Sequence, residues 1–176
     1  LGPGRALHIA PQGADEGSRV LYFHGGGYVF GNPRTHSAML GTLVQRTGAV
    51  AVLPEYPLAP EAPFPAAVDH ALAAYHACLA QGMDPSRLMM GGDSAGGGLA
   101  LALLALLIAD GAPLPAGTFA FSPLTDLGFT GGSMVSNARK DVVLPAHRTS
   151  DMAAHYLTGH RVDDPRATPL KADFTG

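Results

Sequence analysis

The chain has 176 residues, 47% hydrophobic and 14% charged, with a formal net charge of -3, 23 Gly, 15 Pro and one Cys. A chain of this length buries roughly 70% of the surface its unfolded form exposes, which excludes disorder and a disulfide-built miniprotein. The acidic balance leaves no basic footprint for nucleic acid or an anionic membrane face, so neither is an expected partner.

The lone Cys78 has no internal partner, which fits a reducing cytoplasm. The longest apolar run, Leu99 to Ala109, falls short of the roughly 20 residues of a membrane span and reads as a buried helix. The sequence opens on Leu1 with no basic segment leading into an apolar stretch, so no signal peptide is visible and an interior start is expected.

In chain order, Arg19 to Phe23 and Ala49 to Leu53 are short apolar runs that predict strands. Between them, Thr35 to Thr47 predicts a helix with Pro33 near its start and Gly48 as its stop. Pro65 to Ala80 places Val68, Ala71, Leu72, Tyr75 and Leu79 at helical spacing. A strand over Arg87 to Met90, a Gly-rich turn, a helix from Ala95 to Asp110 and a strand over Gly117 to Ser122 follow. Beyond Asp126 the pattern weakens: Gly128 to Ser136 reads as loop and Pro145 to Tyr156 as a short helix. Alternating strands and helices predict an α/β fold with a mostly parallel sheet covered on both faces.

Two segments carry chemistry. The first is His24-Gly25-Gly26-Gly27, placed directly after a predicted strand. Three glycines in a row let the backbone come close to a ligand and turn its N-H groups inward, although a turn needed only for geometry would look the same. The second is Gly92-Asp93-Ser94-Ala95-Gly96, a GxSxG set between a predicted strand and helix. That context puts Ser94 on a sharp strand-to-helix turn, the setting of a nucleophilic serine in α/β-hydrolases.

With HGGGYVFG at 24–31, YPLAPEAPFPAAVDHALAAY at 56–75, GDSAGGGLA at 92–100 and SPLTDL at 122–127, the chain resembles the hormone-sensitive-lipase-like family of α/β-hydrolases, in its bacterial carboxylesterase branch. The resemblance implies an α/β-hydrolase fold with Ser94 as nucleophile and the N-H groups of Gly26, Gly27 and Ala95 as oxyanion hole. His24 then braces the loop, Asp93 orders the elbow through backbone bonds, and Asp126 and Glu61 are structural. Tyr28 is either a pocket wall or a packed aromatic. Pro57 and Gly98 depart from the family pattern, where Arg and Asn are common.

The triad acid and histidine of the family follow its last two strands, and the resemblance places both beyond Gly176. Residues 1–176 therefore read as an incomplete catalytic domain, without the N-terminal cap and the last two strands, with 128–165 contributing to the cap region. Loss of the base alone costs on the order of a millionfold in rate, so little turnover is expected of this segment by itself. A rival triad would use His147, His155 or His160 with Asp126, Asp141 or Asp151. His8, His36, His70 and His76 read as surface or helix residues.

No histidine spacing suits a metal, and no cofactor is expected. The implied function is hydrolysis of small carboxylic esters through an acyl-enzyme. An amidase or deacetylase, or a small-molecule receptor, would share the same motifs. Without further strands, the edge over Gly117 to Ser122 is expected to pair with the missing C-terminal segment or with another copy.

Overall fold

Strands Ala6–Ile9 (β1), Asp15–Phe23 (β2), Ala49–Pro54 (β3), Leu88–Asp93 (β4) and Gly117–Phe121 (β5) join in one sheet of order β1-β3-β2-β4-β5 in the computed structural model, which describes residues 4–141 and 143–175. The β3-β2, β2-β4 and β4-β5 pairs are parallel, and β1 runs antiparallel to β3. The helices are Ser37–Thr47 (α1), Ala66–Ala80 (α2), Ser94–Ala109 (α3), the single turn Ser133–Ser136 (α4) and Thr149–Leu157 (α5).

Every residue of β3 is buried, which is what a central parallel strand covered on both faces requires. The period of two sorts the side chains. Leu21, Phe23, Val50 and Val52 enter the larger core with α2 and α3, whereas Val20, Tyr22, Ala51 and Leu53 enter a smaller one with Leu40 and Val44 of α1. α3 is apolar around its whole circumference because it lies between the sheet and α2, burying Leu99, Ala100, Leu103 and Leu107. Gly48 ends α1 with a φ of 75° and donates its N-H to the Val44 carbonyl.

Three elements differ from the sequence reading. β1 was not anticipated, because four partly exposed residues carry little hydrophobic pattern. α4 adds one helical turn inside the expected loop. α3 begins at Ser94 itself. Among the described residues β5 pairs with β4 alone and lies at the sheet edge, as expected, with Phe121 50% exposed. α5 buries Ala153, Tyr156 and Leu157 in the larger core. Among the described residues no helix is long and apolar enough to cross a membrane.

One register positions the site. β2 and β4 are parallel neighbours with Phe23 opposite Gly92, so the segments that leave them, His24–Gly27 and Asp93–Gly96, emerge side by side. Ligand sites in open parallel sheets form beyond such carboxyl ends.

Candidate active site

Ser94 is the first residue of α3 and holds φ at 51°, a left-handed conformation that costs a non-glycine residue about 1–3 kcal/mol. The surrounding glycines explain how the turn closes. A Cβ on Gly96 would overlap the carbonyl oxygens of Phe23 and His24, and one on Gly92 would overlap the backbone of Gly96. The Leu124 amide donates to the Ser94 carbonyl at 2.8 Å and pins the turn to the segment after β5. Ser94 is partly exposed, and its hydroxyl has no hydrogen-bond partner among the described residues.

In the loop that leaves the adjacent strand, Gly26 and Gly27 take φ values of 131° and 60°, and the Gly26 carbonyl accepts from the amides of Val29 and Phe30. The amides of Gly26 and Gly27 make no hydrogen bond with described residues; neither does that of Ala95, in the first turn of α3 where N-H groups lack intrahelical partners. The helix dipole adds positive character there, so the cluster suits a negative oxygen.

Below the glycines lies a polar network. Asp93 Oδ1 accepts from the Gly25 amide and from the Tyr22 hydroxyl, each at 3.0 Å. A Cβ on Gly25 would overlap the same carboxylate, so glycine is required there by the close approach. His24, 1% exposed, bonds through Nδ1 with the Gly25 carbonyl at 2.8 Å, and the Tyr56 hydroxyl donates to the His24 carbonyl at 2.6 Å. Burial is the main cause that holds the His24 imidazole below its ordinary 6.5. Burial, and then the Asp93 charge, push the Tyr22 hydroxyl well above its ordinary range.

Of the two readings of Tyr28, the structure supports packing. Its ring is buried, stacks on Tyr156 with centroids 4.0 Å apart and approaches Gly98, where a Cβ would overlap the Leu124 carbonyl and lie 3.1 Å from the Tyr28 hydroxyl. Gly98, one of the departures from the family pattern, is thus fitted to its surroundings. Burial alone raises the Tyr28 hydroxyl above its usual value.

Asp126 is turn-bound: burial pushes its carboxyl up, but hydrogen bonds from Thr130 and Gly128 outweigh this and hold it below the usual range. Asp141 accepts from the amides of Val143 and Leu144, and Asp151 pairs with Arg148. His147, His155 and His160 are exposed, and none is hydrogen-bonded to Ser94 or to these carboxylates among the described residues. The rival triad is not assembled here.

Two neighbours of the site escaped the sequence reading. Met152 of α5 overhangs the loop, its Sδ 2.5 Å from where a Cβ on Gly27 would be, and helps line an apolar cleft of about 530 Å³ with Val29, Phe30, Leu144, Pro145 and His155. His36, read as a surface or helix residue, ends the 3-10 turn Pro33–His36; its side chain is only 18% exposed and its Nε2 lies 3.0 Å from Asp93 Oδ1, a contact the sequence reading did not include. Met152 and Tyr156, four apart on one helix, were the available sign that α5 turns a face toward the loop. Nothing local could have paired His36 with Asp93.

Residues 20–176 match the family model for the alpha/beta hydrolase fold. An acetyl-hydrolase of Streptomyces hygroscopicus is 40% identical over 92% of this chain and 54% of its own length, and an esterase of Acinetobacter venetianus is 37% identical over 89% of this chain and 52% of its own. The chain thus spans about half the length of these curated relatives. A crystal structure of an esterase from the bacterial hormone-sensitive lipase family superposes with a TM-score of 0.96 at 45% identity, over 100% of this chain and 60% of the other. The sheet order, the turn at Ser94 and these likenesses agree, and the chain belongs to the hormone-sensitive-lipase-like family of α/β-hydrolases.

Proposed function

We propose that this chain carries the nucleophile and oxyanion hole of a serine carboxylic ester hydrolase. The observation that carries the reading is the strained Ser94 turn set beside three amides, of Gly26, Gly27 and Ala95, that have no partner among the described residues. Ser94 Oγ attacks the ester carbonyl as its proton passes to a base, and the oxyanion is held by the amides. The alcohol leaves with a proton, and water then releases the carboxylic acid from the acyl-enzyme. Each amide contributes about 3–4 kcal/mol to the transition state, on the scale of oxyanion-hole deletions.

The base and its orienting acid come from residues outside 1–176, because the histidines that follow Ser94 here are exposed and none is hydrogen-bonded to it among the described residues. The chemistry needs no metal or organic cofactor. The acetyl-hydrolase name of the Streptomyces relative supports small acyl groups as the substrate class. The lone, buried Cys78 supports a reducing compartment such as the cytoplasm.

A fluorophosphonate should label Ser94 in the longer enzyme that contains this segment, and Ser94→Ala should abolish both labelling and hydrolysis of a short-chain nitrophenyl ester. Turnover that survives Ser94→Ala would overturn the reading. The isolated segment should hydrolyse the same ester at least a thousandfold more slowly than the longer enzyme, since the oxyanion hole without a base leaves only a small part of the acceleration.

A further inference from the structure

We propose that His36 is a positioning residue for ester hydrolysis, acting through Asp93 to fix the nucleophile turn against the glycine loop. The proposal rests on the hydrolase reading above and adds a residue that the motifs do not contain.

Asp93 Oδ1 is the meeting point of three donors from three separate segments. The Gly25 amide comes from the glycine loop, the Tyr22 hydroxyl from β2, and His36 Nε2 from the turn that leads into α1, each at 3.0 Å. Nδ1 on the other side of the ring lies 2.8 Å from the Thr35 hydroxyl oxygen, which itself donates to the Asn32 carbonyl at 2.7 Å, so both sides of the ring are held. The ring lies between those of Tyr22 and His24, at centroid distances of 6.2 and 5.8 Å. Its backbone belongs to the 3-10 turn Pro33–His36, capped by the Asn32 side chain, and α1 follows directly with Leu40 and Val44 in the smaller core.

His36 therefore connects a packed helix on one face of the sheet to a carboxylate whose own backbone opens the turn at Ser94. The Asp93 side chain is 27% exposed, so the contact is sheltered compared with a surface ion pair. Without His36 the carboxylate keeps Gly25 and Tyr22 but loses its one anchor among the described residues outside β2 and the loop that continues it. Gly26 and Gly27 follow Gly25 directly, so a shift of the carboxylate moves the oxyanion amides relative to Ser94 Oγ. Displacements of about 1 Å in such sites cost on the order of a hundredfold in rate, and they fall on the chemical step more than on substrate binding.

The test compares His36→Leu, which keeps bulk but not the donor, with His36→Gln, whose amide can reach the same carboxylate, in the longer enzyme with a short-chain nitrophenyl ester. His36→Leu should lower kcat about 10- to 100-fold with KM within about twofold, and His36→Gln should return kcat to within about threefold of the parent. Val44→Ala, in the core beneath α1, serves as the stability control: at an equal loss of thermal midpoint it should leave kcat within about twofold. If His36→Leu does not fold, Tyr22→Phe decides, and an unchanged kcat there overturns the proposal. An active parent in which His36→Leu keeps its kcat, His36→Gln fails to rescue, or Val44→Ala loses as much kcat overturns the role of His36 alone. A parent neither labelled at Ser94 nor active on the ester overturns the hydrolase reading, and this proposal with it.

Discussion

Asp93 Oδ1 lies 3.0 Å from the backbone nitrogen of Gly25, so the residue before Ser94 is bonded to the residue before Gly26. Asp93→Ala removes the acceptor of the Gly25 amide and the buried Tyr22 hydroxyl together. Each orphaned group costs about 1–3 kcal/mol, and the sum should appear as a loss of about 2–6 kcal/mol in denaturant unfolding. Asp93→Asn keeps one acceptor oxygen and should lose less than half of that. Equal losses in the two variants would show that the carboxylate acts by charge and not as a hydrogen-bond hub.

Tyr56 secures the other end of the loop. Its hydroxyl donates to the His24 carbonyl at 2.6 Å in a fully buried setting, and its ring stacks on His24 with centroids 4.3 Å apart. Tyr56→Phe keeps the stack and deletes the donor, so the His24 carbonyl is left unsatisfied. We expect a loss of about 1–2 kcal/mol, measured as a lower urea midpoint at constant m-value.

The buried His24 gives a direction to acid destabilisation. Its imidazole is held neutral below its ordinary 6.5, chiefly by burial, so in acid the unfolded chain binds a proton that the native site resists. Stability associated with this residue is full above about pH 6.5 and is lost as pH falls from there through the lower native value. His8 and His70 are shifted the same way by burial and add to the slope. His24→Asn should flatten the fall of the thermal midpoint as pH drops below about 6.5, and a slope equal to the parent's would contradict the assignment.

How much of this was legible in the sequence differs by residue. The turn at Ser94 could be read because Gly92 and Gly96 are demanded by backbone overlap, and such demands leave a fixed spacing. The glycine loop could be read for a similar reason, since Gly25, Gly26 and Gly27 answer to close approaches and positive φ. Tyr28 could not be decided, because a tyrosine beside a glycine loop packs or lines a pocket with the same local signal, and its stack on Tyr156 involves a residue far along the chain. β1 was hidden for want of hydrophobic pattern, and His36 because its partner is set by tertiary structure alone.

The β5 edge predicts association. Its strand pairs on one side only and Phe121 is half exposed there, which leaves N-H and C=O groups open to another strand. Residues 1–176 expressed alone should scatter light as more than a monomer, and Phe121→Lys should shift them toward monomer by placing a charge on that edge. A monomeric parent segment would remove this proposal, as would association unaffected by the lysine.

Gly27 tests the oxyanion hole itself. Its φ of 60° costs an alanine about 1–2 kcal/mol, and the new Cβ would press on Met152 Sδ at 2.5 Å. Both effects disturb the loop that presents the Gly27 amide, so Gly27→Ala in the longer enzyme should cut kcat about a hundredfold, the scale of losing one oxyanion donor. Adding Met152→Ala removes the steric part and leaves the conformational part. The double variant should therefore recover some of the loss but remain at least about tenfold below Met152→Ala alone. Full recovery would mean that Met152 crowding, and not the amide of Gly27, accounts for the defect; a fully active Gly27→Ala would take that amide out of the oxyanion hole.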